Sequence, residues 1–187
     1  MDAPSLPTLE TDRLVLRPFR AADGPDVRRL AGDPRVAATT LNIPHPYEEG
    51  MAEGWIGTHE EAFAEGRGLT LAVTLRNEGT LVGAIGLVRN RRFESAEAGY
   101  WIGVPYWNRG YATEALEALL AHAFSTLGLH RVHAHHMDGN PASGRVMEKA
   151  GMRREGVLRE AAKKGERFLD LAVYGILCTD NSPERDA

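Results

Sequence analysis

A single cysteine, Cys178, stands among the 187 residues of this chain. One thiol excludes internal disulfides and a cysteine-ligated metal cluster. Cys178 falls in an apolar stretch expected to form the last strand, where a thiol reads as buried and inert rather than as a relay nucleophile. No run approaches the roughly 20 consecutive apolar residues of a membrane helix. The first residues lack the basic-then-apolar pattern of a secretory signal, so a cytoplasmic location is the expectation. A basic excess is missing too. The 22 Lys and Arg against 26 Asp and Glu leave a net charge of −4, with the cations scattered. That argues against the clustered basic footprint of a nucleic-acid binder and suits a cationic acceptor such as an amine. Two nucleotide signatures are also absent. There is no Gly-Lys-Ser or Gly-Lys-Thr of a P-loop, and no glycine-rich turn after a first strand of the dinucleotide-binding kind.

What is present reads as one domain, without repeats or a dividing linker. Residues 1–11 are polar, with Pro4 and Pro7, and suggest a loose arm. Arg13 to Arg17 alternates polar and apolar, as a half-buried strand does. A short helix capped by Asp23 should end or break at Asp33-Pro34. Met51, Trp55, His59 and Phe63 recur every four residues and predict a helix from about Glu48 to Glu65, with its aromatic stripe in the core. A hairpin follows: Leu69 to Arg76, a turn at Asn77-Glu78-Gly79, then Thr80 to Val88. Next come a strand from Glu97 to Val104, a turn, and an amphipathic helix with Leu116, Leu119, Leu120 and Ala123 on one side and His122 facing out. His130 to Met137 reads as a strand. Asn140 and Pro141 open another helix that Gly151 closes. Strands near Arg153–Arg159 and Arg167–Cys178 complete a mixed sheet of about seven strands with helices on both faces, an α/β arrangement.

Chemistry concentrates in two segments. Trp107-Asn-Arg-Gly-Tyr-Ala-Thr113 joins a strand to a long helix, and a helix N-terminus offers unsatisfied N–H groups and a positive dipole end to an anion. An ordinary strand-to-helix connection would need Gly110 too, so the turn alone leaves both readings open. Asn140-Pro-Ala-Ser143 by itself is standard helix capping. His133 and His135 share a strand face, yet no third ligand has metal-site spacing.

Together, and with Thr11 to Arg17, Pro44 to Tyr47, Trp55-Ile56, Glu97 to Trp101 and Glu148 to Met152 in order along the chain, these segments resemble the GNAT superfamily of acyl-coenzyme A-dependent N-acetyltransferases. Within it the chain is most similar to the branch that acetylates ribosomal-protein N-termini. The resemblance implies an acetyltransferase domain over residues 9–178, with 1–8 and 179–187 as flexible termini. It further implies a strand that splays from its neighbour, with coenzyme A between them. Acetyl-coenzyme A, the implied cosubstrate, would pair its pantetheine with Ile102, Gly103 and Val104. Its pyrophosphate would meet Arg109, Gly110, Tyr111, Ala112 and Thr113, and its arm Asn140 and Ser143. No metal is implied.

The reaction needs a base, because a primary amine is protonated at neutral pH. Glu97 is the candidate. A hydroxyl must serve the leaving thiolate. Ser143 is the candidate and Tyr174 the second, since Met147 stands where many relatives carry Tyr. Trp107 and Asn108 depart from the commoner residues of the turn without removing a backbone donor. His45, Tyr47 and His135 are candidates to meet the acceptor, which could be a peptide N-terminus, an amino acid, a polyamine or an aminoglycoside. A homodimer is compatible with the family, though no interface is legible. A coenzyme-binding module without turnover is the rival reading.

Overall fold

A computed structural model describes residues 5–180. Eight strands form one sheet: β1 (Leu9–Glu10), β2 (Leu14–Arg17), β3 (Gly68–Leu75), β4 (Leu81–Asn90), β5 (Ser95–Ile102), β6 (Arg131–Met137), β7 (Arg153–Lys164) and β8 (Arg167–Leu177). Their spatial order is β1-β2-β3-β4-β5-β6-β8-β7. Every neighbouring pair is antiparallel except β5 and β6, which run parallel and pair at Ser95–Arg131, Ala96–Val132 and Glu97–His133. Beyond Glu97 the two strands part, and this divergence is the opening on which the site is built.

Among the described residues six α-helices cover the sheet: α1 (Gly24–Ala31), α2 (Pro34–Thr39), α3 (Met51–Gly57), α4 (His59–Ala64), α5 (Tyr111–Ser125) and α6 (Pro141–Lys149). The larger core joins Leu116, Leu119, Leu120 and Ala123 of α5 to Leu14, Leu16, Val73, Ile85, Ala98 and Val132 of the strands. The smaller core, on the other face, joins Val27, Leu30 and Ala31 of α1 and Ala52 of α3 to Ala72 and Leu81. Side chains of β5 alternate between them: Ala96, Ala98, Tyr100 and Ile102 belong to the α5 face, and Trp101 packs on the α1–α3 side. Arg17 grips Asp23 with two 2.8 Å hydrogen bonds at the foot of α1. Burial opposes ionisation there, but the Arg17 guanidinium and the Arg20 N–H hold the Asp23 carboxyl below its usual range.

Several expectations need correction. The sheet has eight strands, because residues 9–10 of the supposed loose arm pair with Leu16 and Val15, and Leu6 and Leu9 pack on the core. Residues 1–4 and 181–187, parts of the termini expected to be flexible, lie outside the described residues. The long helix after the proline loop is two short ones. Gly54 and Gly57 weaken α3, and the Thr58 hydroxyl donates to the Trp55 carbonyl at 2.8 Å, which favours a break there. Met51 and Trp55 from its expected core stripe line the cleft described below. β5 begins at Ser95 and stops at Ile102, because Pro105 lies in a single 3-10 turn, Val104–Tyr106. β7 continues past Arg159 to Lys164 through a register shift between Leu158 and Ala162, where Glu160 adopts a left-handed φ of 50°. His122 is half-buried rather than outward, and burial pushes its imidazole pKa down. Cys178 lies just past β8 and is half-buried, with its Sγ 3.6 Å from His130 Nδ1.

His59 occupies a pocket of its own kind. Its side chain is packed edge-on to Trp55 with ring centroids 4.5 Å apart, and against Phe19 at 5.3 Å. The residue is 5% exposed, and neither ring nitrogen has a hydrogen-bond partner among the described residues. Burial pushes its pKa down to about 4.

Candidate active site

The chain leaves β5 through a tight turn. The Trp107 indole N–H donates to the Ile102 carbonyl at 2.6 Å, folding the turn back on the strand end. Asn108 (φ 59°) and Gly110 (φ 80°) are both left-handed, a conformation that asparagine and glycine accept more readily than other residues. Gly110 precedes α5 directly and supplies no side-chain cap. The first helical bond runs from Glu114 N–H to the Gly110 carbonyl, so the N–H groups of Tyr111, Ala112 and Thr113 have no intrahelical acceptor. The 15-residue helix adds the positive end of its dipole at this point.

The turn is braced from behind. Arg13 Nη1 donates to the Arg109 carbonyl at 2.9 Å. Glu114 accepts from the Arg13 backbone N–H at 2.9 Å, from Arg13 Nε at 2.7 Å and from the Thr11 hydroxyl at 2.6 Å. Burial works against that carboxylate, yet these donors hold its pKa below the usual range.

Where β5 leaves β6, backbone groups are released. The Gly103 N–H donates to Val82 on β4 at 2.8 Å. Strand alternation then turns the N–H groups of Tyr100 and Ile102 toward the open edge. Glu97, the last residue of β5 paired with β6, holds its carboxylate 3.3 Å from His135 Nδ1 and 3.8 Å from His133 Nε2. Burial pushes the His133 imidazole pKa down, and Glu97 opposes that shift.

Ser143 faces the opening from the first turn of α6. Asn140 caps this helix, accepting from the Ser143 N–H at 3.3 Å, and its Nδ2 donates to the Thr39 carbonyl at 3.2 Å. The Tyr100 hydroxyl lies 2.8 Å from Ser143 Oγ and 3.1 Å from the Ser143 carbonyl. Burial pushes the Tyr100 phenol up to about 12, against the lowering effect of the Ser143 hydrogen bond. Tyr174 donates to Glu148 at 3.4 Å, and burial raises its pKa as well. Met147 is fully buried in the larger core.

The turn, β5, β6 and α6 each contribute residues to one cleft of about 1070 Å³. Of the residues singled out from sequence, Glu97, Ser143, Ile102, Gly110, Tyr111, Ala112, Thr113, Asn140, Tyr47 and His135 line it. Gly103, Val104, Arg109 and His45 do not. Gly103 packs against Leu30 of α1, where an added Cβ would come within 2.7 Å of the leucine. Arg109 sits over the Tyr106 ring at 5.9 Å. His45 lies in a separate depression with Arg28, Asp33 and Glu53. Sequence reasoning missed Tyr100, Trp101, Trp107 and the cations Arg145 and Lys149, all of which line the cleft. Counting β5 by twos from Ala98 would have placed Tyr100 on the α5–α6 face. Among the described residues no three His, Cys, Asp or Glu side chains are placed to hold a metal ion.

Known proteins share this architecture. The chain is 31% identical over 172 residues to the uncharacterized N-acetyltransferase YoaA of Bacillus subtilis, covering 91% of this chain and 97% of that one. It is 26% identical over 188 residues to the [ribosomal protein uS5]-alanine N-acetyltransferase of Escherichia coli, covering 95% and 94%. The crystal structure of a GNAT-family acetyltransferase from Bacillus anthracis superposes with a TM-score of 0.83 at 30% identity, covering 92% of this chain and 99% of that one. Residues 13–153 match the family described as the acetyltransferase (GNAT) domain. With the sheet divergence and the uncapped turn before α5, these likenesses establish that the chain belongs to the GNAT family of acetyltransferases.

Proposed function

We propose that this enzyme transfers the acetyl group of acetyl-coenzyme A to a primary amine, at a protein or peptide N-terminus or on a small molecule, by direct attack within a ternary complex. The observation that carries the reading is the uncapped first turn of α5 opening onto the same cleft as Glu97 and Ser143. Its three unpaired N–H groups suit a pyrophosphate, and Arg145 and Lys149 add positive charge along the cleft. Bound there, the coenzyme would supply the activated thioester.

Glu97 takes a proton from the incoming ammonium, freeing the nitrogen lone pair. His135, 3.3 Å from that carboxylate, orients it. As the carbon–nitrogen bond forms, an open-edge N–H of Tyr100 or Ile102 meets the charge building on the carbonyl oxygen. The carbon–sulfur bond then breaks. Ser143 donates a hydrogen bond to the departing thiolate, and the proton shed by nitrogen as the amide forms ends on sulfur.

Coenzyme release measured with a panel of amines tests this reading, using wild type, Glu97→Gln and Ser143→Ala. Glu97→Gln should lower kcat by about 10²–10⁴-fold, the usual worth of a positioned base, with acetyl-coenzyme A affinity retained. Tight coenzyme binding without turnover on any amine would sink the reading. An unchanged rate in Glu97→Gln would remove only the base assignment.

A further inference from the structure

The centre of the sheet is open on one face, and it is the face that carries Glu97. Gly99 of β5 and Gly86 of β4 are cross-strand partners, and Thr70 of β3 stands opposite Gly86. All three line the cleft. Gly99 is solvent-exposed although its strand is the fifth of eight, and a Cβ built on it meets nothing within 4 Å. Interior positions of central strands are normally filled by β-branched or aromatic side chains. Here a bare floor is left, bounded along β5 by Glu97 two residues before and Trp101 two residues after. At about 3.3 Å per residue, those two bounds stand roughly 13 Å apart.

The walls are apolar and aromatic: Ile43, Tyr47, Met51, Trp55 and Trp101 line the cleft. Its charge is sparse. Among the described residues, Glu97 is the one carboxylate lining the cleft. A polyamine would bring several ammonium groups to a site that could neutralise one, leaving the others desolvated without partners.

Resting on the acetyltransferase reading above, we propose that the acceptor is a primary amine with one positive charge and an apolar or aromatic body. Its ammonium meets Glu97, and its body lies over Gly99 against Trp101. Gly99 is then a specificity-determining position, since any side chain there would fill the space the acceptor occupies.

The floor gives a direct test. Gly99 lacks the left-handed φ that only glycine adopts easily, and its Cβ direction is free, so Gly99→Ala and Gly99→Leu should fold normally. All three tryptophans of the chain, Trp55, Trp101 and Trp107, line the cleft, so intrinsic fluorescence reports on its contents without turnover. Phenethylamine and spermidine would be titrated into wild type, Gly99→Ala and Gly99→Leu with coenzyme A present. Acetyl transfer from acetyl-coenzyme A to each would be measured in parallel. Wild type should bind and acetylate phenethylamine at least about tenfold better than spermidine. Gly99→Ala should weaken both readouts several-fold and Gly99→Leu by about a hundredfold, with melting temperature and coenzyme affinity unchanged. Equal preference for spermidine, or full acceptor binding in Gly99→Leu, overturns this inference while leaving the acetyltransferase reading intact. Phenethylamine binding that Gly99→Leu abolishes, without acetylation of any amine, overturns the reaction and leaves the acceptor seat standing.

Discussion

His59 makes the fold sensitive to acid. An imidazole in an unfolded chain titrates near 6.5, whereas burial between Trp55 and Phe19 pushes this one down to about 4. Between those values the unfolded chain binds a proton that the folded chain refuses. The stability that neutral His59 preserves is therefore complete above pH 6.5 and declines as pH falls toward 4. Linkage over that interval puts the loss between pH 7 and pH 5 at about 2 kcal/mol. For a domain of this size that corresponds to a melting-temperature drop of about 4–8 °C from this residue alone. Asp23 and Glu114, held below the usual carboxylate range, add their own losses at lower pH. The control is therefore a variant. His59→Leu removes two ring nitrogens that lack partners and keeps an apolar side chain against Trp55. It should be at least as stable as wild type at pH 7 and should lose about 2 kcal/mol less on going to pH 5. Urea unfolding at both pH values, followed by tryptophan fluorescence, measures the difference, and NMR of the ring protons reads the folded pKa directly. If the two proteins lose the same stability within 0.5 kcal/mol, or the ring titrates near 6.5 in the fold, the burial argument is wrong; the threshold is about a quarter of the expected effect.

Two further predictions concern the cleft. Tyr100→Phe removes the hydroxyl 2.8 Å from Ser143 Oγ and should lower kcat by roughly 10-fold. The KM for acetyl-coenzyme A should stay near wild type, and steady-state kinetics at saturating amine separates the two effects. Glu114→Ala strips the brace on Thr11 and Arg13 and should lower stability by about 2 kcal/mol, the scale of lost charged hydrogen bonds. It should also weaken coenzyme binding several-fold, because Arg13 holds the Arg109 carbonyl of the turn. Denaturant melts and isothermal titration check the pair.

Local pattern made part of this site legible before any coordinates. The turn before α5 announces itself through Gly110 beside an amphipathic helix, and Asn140 through its place ahead of Pro141; both signals span a few residues. Glu97, which lines the cleft, stands out in the sequence because it begins the stretch leading to the turn. What escaped depends on distant contacts. The Tyr100–Ser143 pair joins residues 43 apart in sequence, so neither residue alone advertises it. The bare floor needs the register that sets Gly86 opposite Gly99. His45 sits in a proline-bracketed loop whose position relative to the cleft is set by α1 and α3, and the loop turns it toward Arg28 and Glu53. The two-residue strand β1 carries no periodicity of its own; its place comes from Val15 and Leu16 across the gap.

The three paired residues between β5 and β6 also have a mechanical meaning. On one side of them β1 to β5 form a continuous antiparallel plate, and on the other β6, β8 and β7 form a second. Each plate is stitched along most of its length, but the seam between them is short and lies at one end, like the spine of a partly opened book. Bending along that seam disturbs fewer ladder hydrogen bonds than bending within either plate. The width of the cleft is therefore governed from Ala96 and Val132, well away from the turn that precedes α5.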